Sequence, residues 1–283
     1  MHNVGYVSCK GIRQVFACVI DCPHCDTQVD RSASRLYIAD DVGKVTAYAV
    51  VVTPYAAVPY SLTQLNVQCQ FPGCLITYGS LKRSLRLALS PDGRWLLGAF
   101  DNRASIDAWP ISAGSGYLGS AIEWQIGGRP ADVAVMPDSR HVAVLLGSIG
   151  DLCVYGFNTD TGKPDTPQPL RCIGTGGSAA RIINLGDANG DGYQDYAVLP
   201  GTAEDVMTNV TVVLGDADGP LQAVSEGLVT CRGVTDIASA DFDGDSNLDL
   251  IISCYSSSYG THQVYLRKGR GDGTFQQGVD FVN

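Results

Sequence analysis

The sequence has little of what exposed helices are made from. Of its 29 acidic residues only Glu123, Glu204 and Glu226 are Glu, and there are five Lys in 283 residues. Glu and Lys are the ordinary residues of solvent-facing helix turns, so their scarcity argues against a helical protein. None of the four histidines, His2, His24, His141 and His262, has a partner at metal-ligand or triad spacing. There is no Gly-x-Ser-x-Gly elbow, phosphate loop or dinucleotide fingerprint. No apolar run reaches bilayer length, so no transmembrane segment is expected. Val15 to Ile20 is also too short for a signal-peptide core, which leaves a leader absent from this sequence or a chain that is a piece of something longer. A basic stripe is missing too. With a net charge of −10, nucleic acid is not an expected partner.

What is present points one way. Apart from the three Glu, all the acids are Asp, and with 33 Gly they supply the residues of tight turns. Apolar residues make up 45%, enough for a large core. Together these predict an all-β chain with many short connections. Ten cysteines (Cys9, Cys18, Cys22, Cys25, Cys69, Cys74, Cys153, Cys172, Cys231 and Cys254) are an even and high number for a loop-rich β chain. They predict disulfides and an oxidising compartment: extracellular, cell-surface or periplasmic.

Repeats organise the chain. Five segments share an apolar strand, an Asp- or Gly-rich turn, a second strand, a polar turn and a third strand. The second strands begin at Arg35, Arg94, Arg140, Gln194 and Leu248, at intervals of 59, 46, 54 and 54 residues. Each interval suits a four-stranded antiparallel sheet. Sheets repeated at this period stack radially, because a closed ring leaves few bare strand edges. The prediction is a single β-propeller over 1–283 of four-stranded antiparallel blades: five by direct count, six or seven if the longest interval or the N-terminus holds divergent units. The strand Ile12 to Ile20 is expected to complete the circle, the alternative being a piece of a longer propeller with an open edge. Trp95, Trp109 and Trp124 fall in one blade-sized window and read as packing between blades.

Two turns carry candidate chemistry. In Asp187-Ala188-Asn189-Gly190-Asp191-Gly192-Tyr193-Gln194-Asp195 and in Asp241-Phe242-Asp243-Gly244-Asp245-Ser246-Asn247-Leu248-Asp249, oxygen-bearing side chains occupy positions 1, 3, 5 and 9. Calcium takes six to eight oxygens, and alternate residues of a tight loop can all point inward at one ion. Position 12, a bidentate Glu in the helical version of such loops, is Val198 or Ile252 here, so each loop runs into a strand. Position 6 is Gly192 in one loop and Ser246 in the other. A left-handed turn suits Gly and is resisted by Ser, unless Gly244 eases it.

From Gly174 onward the chain resembles the FG-GAP or VCBS repeats, the calcium-loop propellers of integrin α subunits and many surface proteins. The likeness rests on both Asp loops, on Leu214-Gly215-Asp216-Ala217-Asp218-Gly219 and on Gly269-Arg270-Gly271-Asp272-Gly273-Thr274-Phe275. It implies calcium held by the side chains of Asp187, Asn189, Asp191 and Asp195 with the Tyr193 carbonyl, and by Asp241, Asp243, Asp245 and Asp249 with the Asn247 carbonyl. Over 35–172 the chain is similar instead to lactonase-like propellers, through Ser90-Pro91-Asp92-Gly93-Arg94 and Met136-Pro137-Asp138-Ser139-Arg140 between strands. Two functions are implied. One is a calcium-stabilised scaffold that binds a protein or carbohydrate ligand on a propeller face. The other is an enzyme, a sugar-lactone hydrolase or polysaccharide lyase, with its site in the central channel but no catalytic residue that can be mapped. An ionisable, metal-bearing channel would favour the enzyme, and an apolar or plugged one the scaffold.

The cysteines allow further readings. Cys18, Cys22 and Cys25 have the spacing of radical-enzyme iron–sulfur ligands, and Cys22-Pro23-His24-Cys25 that of a thioredoxin-like motif. Both need helices that the sequence does not provide. A zinc knob from Cys9, Cys18, Cys22 and Cys25, with or without His24, and a pair of loop disulfides remain open. Cys69 and Cys74 flank a Pro72-Gly73 bend suited to a local disulfide. Cys153 with Cys172, and Cys231 with Cys254, are placed to join neighbouring strands.

Overall fold

The computed structural model describes residues 7–12, 15–20, 26–30, 35–39, 44–52, 60–69, 85–100, 103–175, 179–201, 207–217, 219–224, 229–256, 258–276 and 280–282. Every regular element among them is a strand. β1 (Val7–Ile12) and β2 (Val15–Ile20) form an antiparallel hairpin that sets Cys9 opposite Cys18. Residues 21–25, which include Cys22 and Cys25, and 70–84, which include Cys74, lie outside the described residues.

Five antiparallel meanders follow. The first contains β3 (Asp26–Asp30), β4 (Arg35–Ala39), β5 (Lys44–Val52) and β6 (Tyr60–Cys69). The second contains β7 (Leu85–Leu89), β8 (Trp95–Phe100), β9 (Ser105–Pro110) and β10 (Ile122–Gln125). In the third, β11 (Pro130–Val135), β12 (His141–Leu146) and β13 (Asp151–Asn158) are followed by two short strands, β14 (Lys163–Pro164) and β15 (Arg171–Gly174), that share the edge of β13. The fourth runs β16 (Ala179–Gly186), β17 (Asp195–Pro200), β19 (Thr211–Asp216), β20 (Gly219–Val224), while β18 (Met207–Asn209) leaves it to pair with β21 (Val229–Arg232). The fifth contains β22 (Val234–Ala240), β23 (Asp249–Ser256), β24 (Thr261–Arg267) and β25 (Asp280–Val282). The second strand of each sheet starts at, or one residue after, the position expected from the repeats.

The expectation for Ile12 to Ile20 fails. That stretch is split between two strands of one hairpin, and the fourth strand of the last sheet is β25, which pairs with β24.

The sheets stack face to face, and side-chain alternation shows how. Along β12, Val142, Val144 and Leu146 enter a core shared with the second sheet, where they meet Leu97, Ile106 and Trp124. The intervening Ala143 and Leu145 enter a core shared with Tyr196, Val198 and Val213 of the fourth sheet. β17 repeats the device, sending Ala197 and Leu199 the other way, toward Leu250 and Ile252 of the fifth. A fourth core joins Tyr37 and Val45 of the first sheet to Leu96 and Trp109 of the second. Successive side chains of a strand face opposite sides, so a strand covered on both faces must be apolar throughout. All three tryptophans are buried in these cores, as expected. The first strands adjoin in series, β3 to β7 to β11 to β16 to β22, which is the radial succession of a β-propeller. Disulfides Cys153–Cys172 and Cys231–Cys254 form as the sequence reading placed them, one across β13 and β15 and one from β21 to β23.

Candidate metal centre

Each Asp loop joins the first strand of its sheet to the second, 187–195 between β16 and β17 and 241–249 between β22 and β23. The two are built alike. The first Asp of each folds the loop around its own carboxylate: Asp187 Oδ1 accepts the amides of Gly190 (2.7 Å) and Asp191 (3.0 Å), and Oδ2 that of Gly192 (2.8 Å). Asp241 does the same with Gly244 (2.7 Å), Asp245 (3.2 Å) and Ser246 (2.9 Å). Asp191 Oδ1 accepts the Tyr193 amide at 2.9 Å, and Asp245 Oδ1 the Asn247 amide at 2.8 Å.

The ninth residue ties the loop to the hairpin at the end of the third strand. Asp195 accepts the amides of Ala188 (2.7 Å) and Gly215 (2.8 Å), and Asp249 those of Phe242 (3.0 Å) and Gly269 (2.9 Å). Both carboxylates are fully buried. The hairpin glycines are required by contact, because a Cβ on Gly215 would come within 2.2 Å of the Gln194 carbonyl and one on Gly269 within 2.1 Å of the Leu248 carbonyl. Burial pushes the Asp195 carboxyl up, its two amide donors act against that, and the charges of Asp191 and Asp187 add to the rise. Gathered carboxylates of this kind repel one another unless a cation lies between them.

The loops differ in how closely the oxygens meet. Ligand atoms of Asp241, Asp243 and Asp249 all lie within 4.8 Å of one another, the one such acidic grouping among the described residues. Calcium–oxygen distances of 2.3–2.6 Å put opposite ligands about 5 Å apart, so this donor set suits the ion. Each carboxylate oxygen has two lone pairs, so Asp241 Oδ2 and both oxygens of Asp249, which accept one amide each, keep one for a metal. In the first loop the third position is an amide, and Asn189 Nδ2 donates to Asp191 Oδ2 at 2.9 Å. That loop brings its residues into the same hydrogen-bonded frame but not into a comparable carboxylate cluster.

The sequence reading missed three participants. Gly215 and Gly269 are the amide donors to the ninth residue. Lys268 donates from Nζ to Asp243 Oδ2 at 2.6 Å, and this hydrogen bond holds the Asp243 carboxyl below its ordinary value and the Lys268 amine above its own. Aligning Gly269 with Gly215 puts Leu214 in the place of Lys268, so among the described residues only the second loop has a resident ammonium. The recurring Gly of the hairpins was a signal for the first two. Nothing local to the loop signals the third.

No curated protein sequence matches the chain. Solved structures do match it in fold. A protein from Lactobacillus plantarum superposes with a TM-score of 0.65 at 16% identity, over 100% of this chain and 80% of that one. The periplasmic gluconolactonase of Pseudomonas aeruginosa gives 0.54 at 14% identity, over 94% and 86%. The Dos1 propeller gives 0.52 at 11% identity, over 91% and 60%. Residues 187–252, which span both Asp loops, match the FG-GAP-like repeat family, so both loops lie in a stretch similar to that repeat, set in a β-propeller.

Proposed function

We propose that this protein is a calcium-stabilised, extracytoplasmic propeller, one domain over 1–283, that presents a ring face to a protein or glycan. The observation that supports this best is the meeting of Asp241, Asp243 and Asp249 in a loop tied to its hairpin through a buried carboxylate. Asp187, Asn189, Asp191 and Asp195 with the Tyr193 carbonyl would hold one ion. Asp241, Asp243, Asp245 and Asp249 with the Asn247 carbonyl would hold the other. Bound there, calcium neutralises mutually repelling carboxylates and braces the start of a second strand. Two disulfides support the oxidising compartment.

The test is thermal melting in calcium and in EGTA. A ligand that binds only the folded state adds about 2.7 kcal/mol at a hundred times its dissociation constant, so calcium should raise the midpoint by several degrees. Asp241→Asn should remove part of that rise. Equal midpoints in calcium and EGTA sink the reading.

The second reading, a lactone hydrolase or polysaccharide lyase, is supported by the gluconolactonase of similar fold and by a polar central channel. Against it, Asp132, the one carboxylate among the described residues lining that cavity, has both oxygens engaged by the amides of Val133 and Ile182 at 2.8 Å. Turnover of glucono-lactone above the buffer rate would favour the enzyme.

A further inference from the structure

The first strands β3, β7, β11 and β16 line a partly open cavity of about 220 Å³. Its polar lining comprises Gln28, Arg86, Asp132, Arg181 and Asn184. Most of these are committed to protein partners. Gln28 Nε2 donates to the Leu87 carbonyl at 2.9 Å, Asp132 accepts two amides, and Arg181 Nη1 pairs with Asp236 Oδ1 at 3.3 Å. Arg86 differs. Its Nε is buried without a hydrogen-bond acceptor, and among the described residues the side chain has no ion-pair partner.

An unpaired guanidinium in a cavity is unexpected in a chain with 29 acids and a net charge of −10. Buried N–H donors are nearly always paired, and leaving one unpaired is unfavourable. The guanidinium presents its donors as a rigid planar fork that matches a carboxylate or a phosphate through two parallel hydrogen bonds. Arg181 is already paired with Asp236 and Asp132 has both oxygens on amides, which leaves Arg86 as the lining's uncommitted charge, and the amide of Asn184 can serve hydroxyl groups beside the anion. Low-dielectric walls strengthen such contacts relative to open water.

We infer that the central channel binds a small soluble oxyanion, a carboxylate or phosphate group, received by Arg86. The inference stands on the channel residues and does not depend on the metal reading of the loops.

Calorimetric titration of the whole chain with D-gluconate and with inorganic phosphate, at constant ionic strength, tests it. At least one should saturate a single site per chain, and which one does identifies the anion. Arg86→Met should weaken that binding about tenfold or more, and Arg86→Lys, which keeps the charge but loses the fork, by a smaller factor. Arg94→Ala, which removes an exposed pair with Asp160 outside the channel, should bind as the parent does. If Arg86→Met does not fold, Arg86→Lys decides: weaker binding at an unchanged melting midpoint supports the inference, and unchanged binding overturns it. Failure of both anions to saturate by about 10 mM, a concentration at which a bidentate contact should register, also overturns it.

Discussion

Ser246 occupies the sixth loop position at φ 72°, where its counterpart Gly192 has φ 88°. The turn therefore keeps its shape and the serine takes the strain. Gly244, at φ 82°, does not relieve it, because Gly190 does the same work in the first loop at φ 77°. A left-handed conformation costs a side-chain-bearing residue about 1–2 kcal/mol, of which glycine's extra freedom in the unfolded chain offsets part. Ser246→Gly should therefore stabilise the protein by about 0.5–1 kcal/mol, read as a higher urea midpoint at unchanged slope. An unchanged or lower midpoint would mean that the Ser246 side chain contributes more than its backbone loses. At this scale the ligand candidates were legible, because they lie within nine residues and their alternation is visible in the sequence. Lys268 was not, since it reaches Asp243 from 25 positions away across a hairpin. Arg86 was hidden for the same reason, because only the stacking of four sheets places it in a cavity.

Among elements, the turn between β11 and β12 shows how a short sequence sets a strand reversal. Asp138 Oδ1 accepts the amides of Arg140 (2.8 Å) and His141 (3.1 Å), and Oδ2 contacts His141 Nδ1 at 2.5 Å. Burial alone would raise this carboxyl; the Arg140 amide, the His141 ring and the His141 amide outweigh it and hold the carboxyl below its ordinary value of 3.8. A lowered native value means that the unfolded chain binds the proton more tightly, so stability falls as pH drops from about 4 through the native value. Asp138→Asn should lower the melting midpoint at pH 7, and that gap to the parent should shrink toward pH 3. A gap independent of pH would assign the loss to turn geometry and not to charge. The second strands were legible to within a residue because a strand buried on both faces is an unbroken apolar run, as in Val142–Leu146. β14, β18 and β25 were not. Each is only two or three residues long and is fixed by the edge it pairs with, which no local pattern encodes.

At the scale of the molecule, the four cores form a chain of shared interfaces, so no middle sheet has a core of its own. Leu199 lies between the fourth and fifth sheets, while Trp95, Trp109 and Trp124 all lie in the second. The third sheet separates the two regions. Leu199→Ala should cost about 2–5 kcal/mol, as buried leucine truncations do. If the shared cores make unfolding one event, tryptophan fluorescence and far-UV circular dichroism should report the same lowered urea midpoint, though no tryptophan is near the substitution. Stacked repeats can instead unfold piecewise when an interface is weaker than the sheets it joins. In that case the dichroism would move while fluorescence kept the parental midpoint. The alternation along β12 and β17 argues for the single event, because each of those strands supplies side chains to two cores at once. Unpacking either strand exposes both of its neighbours.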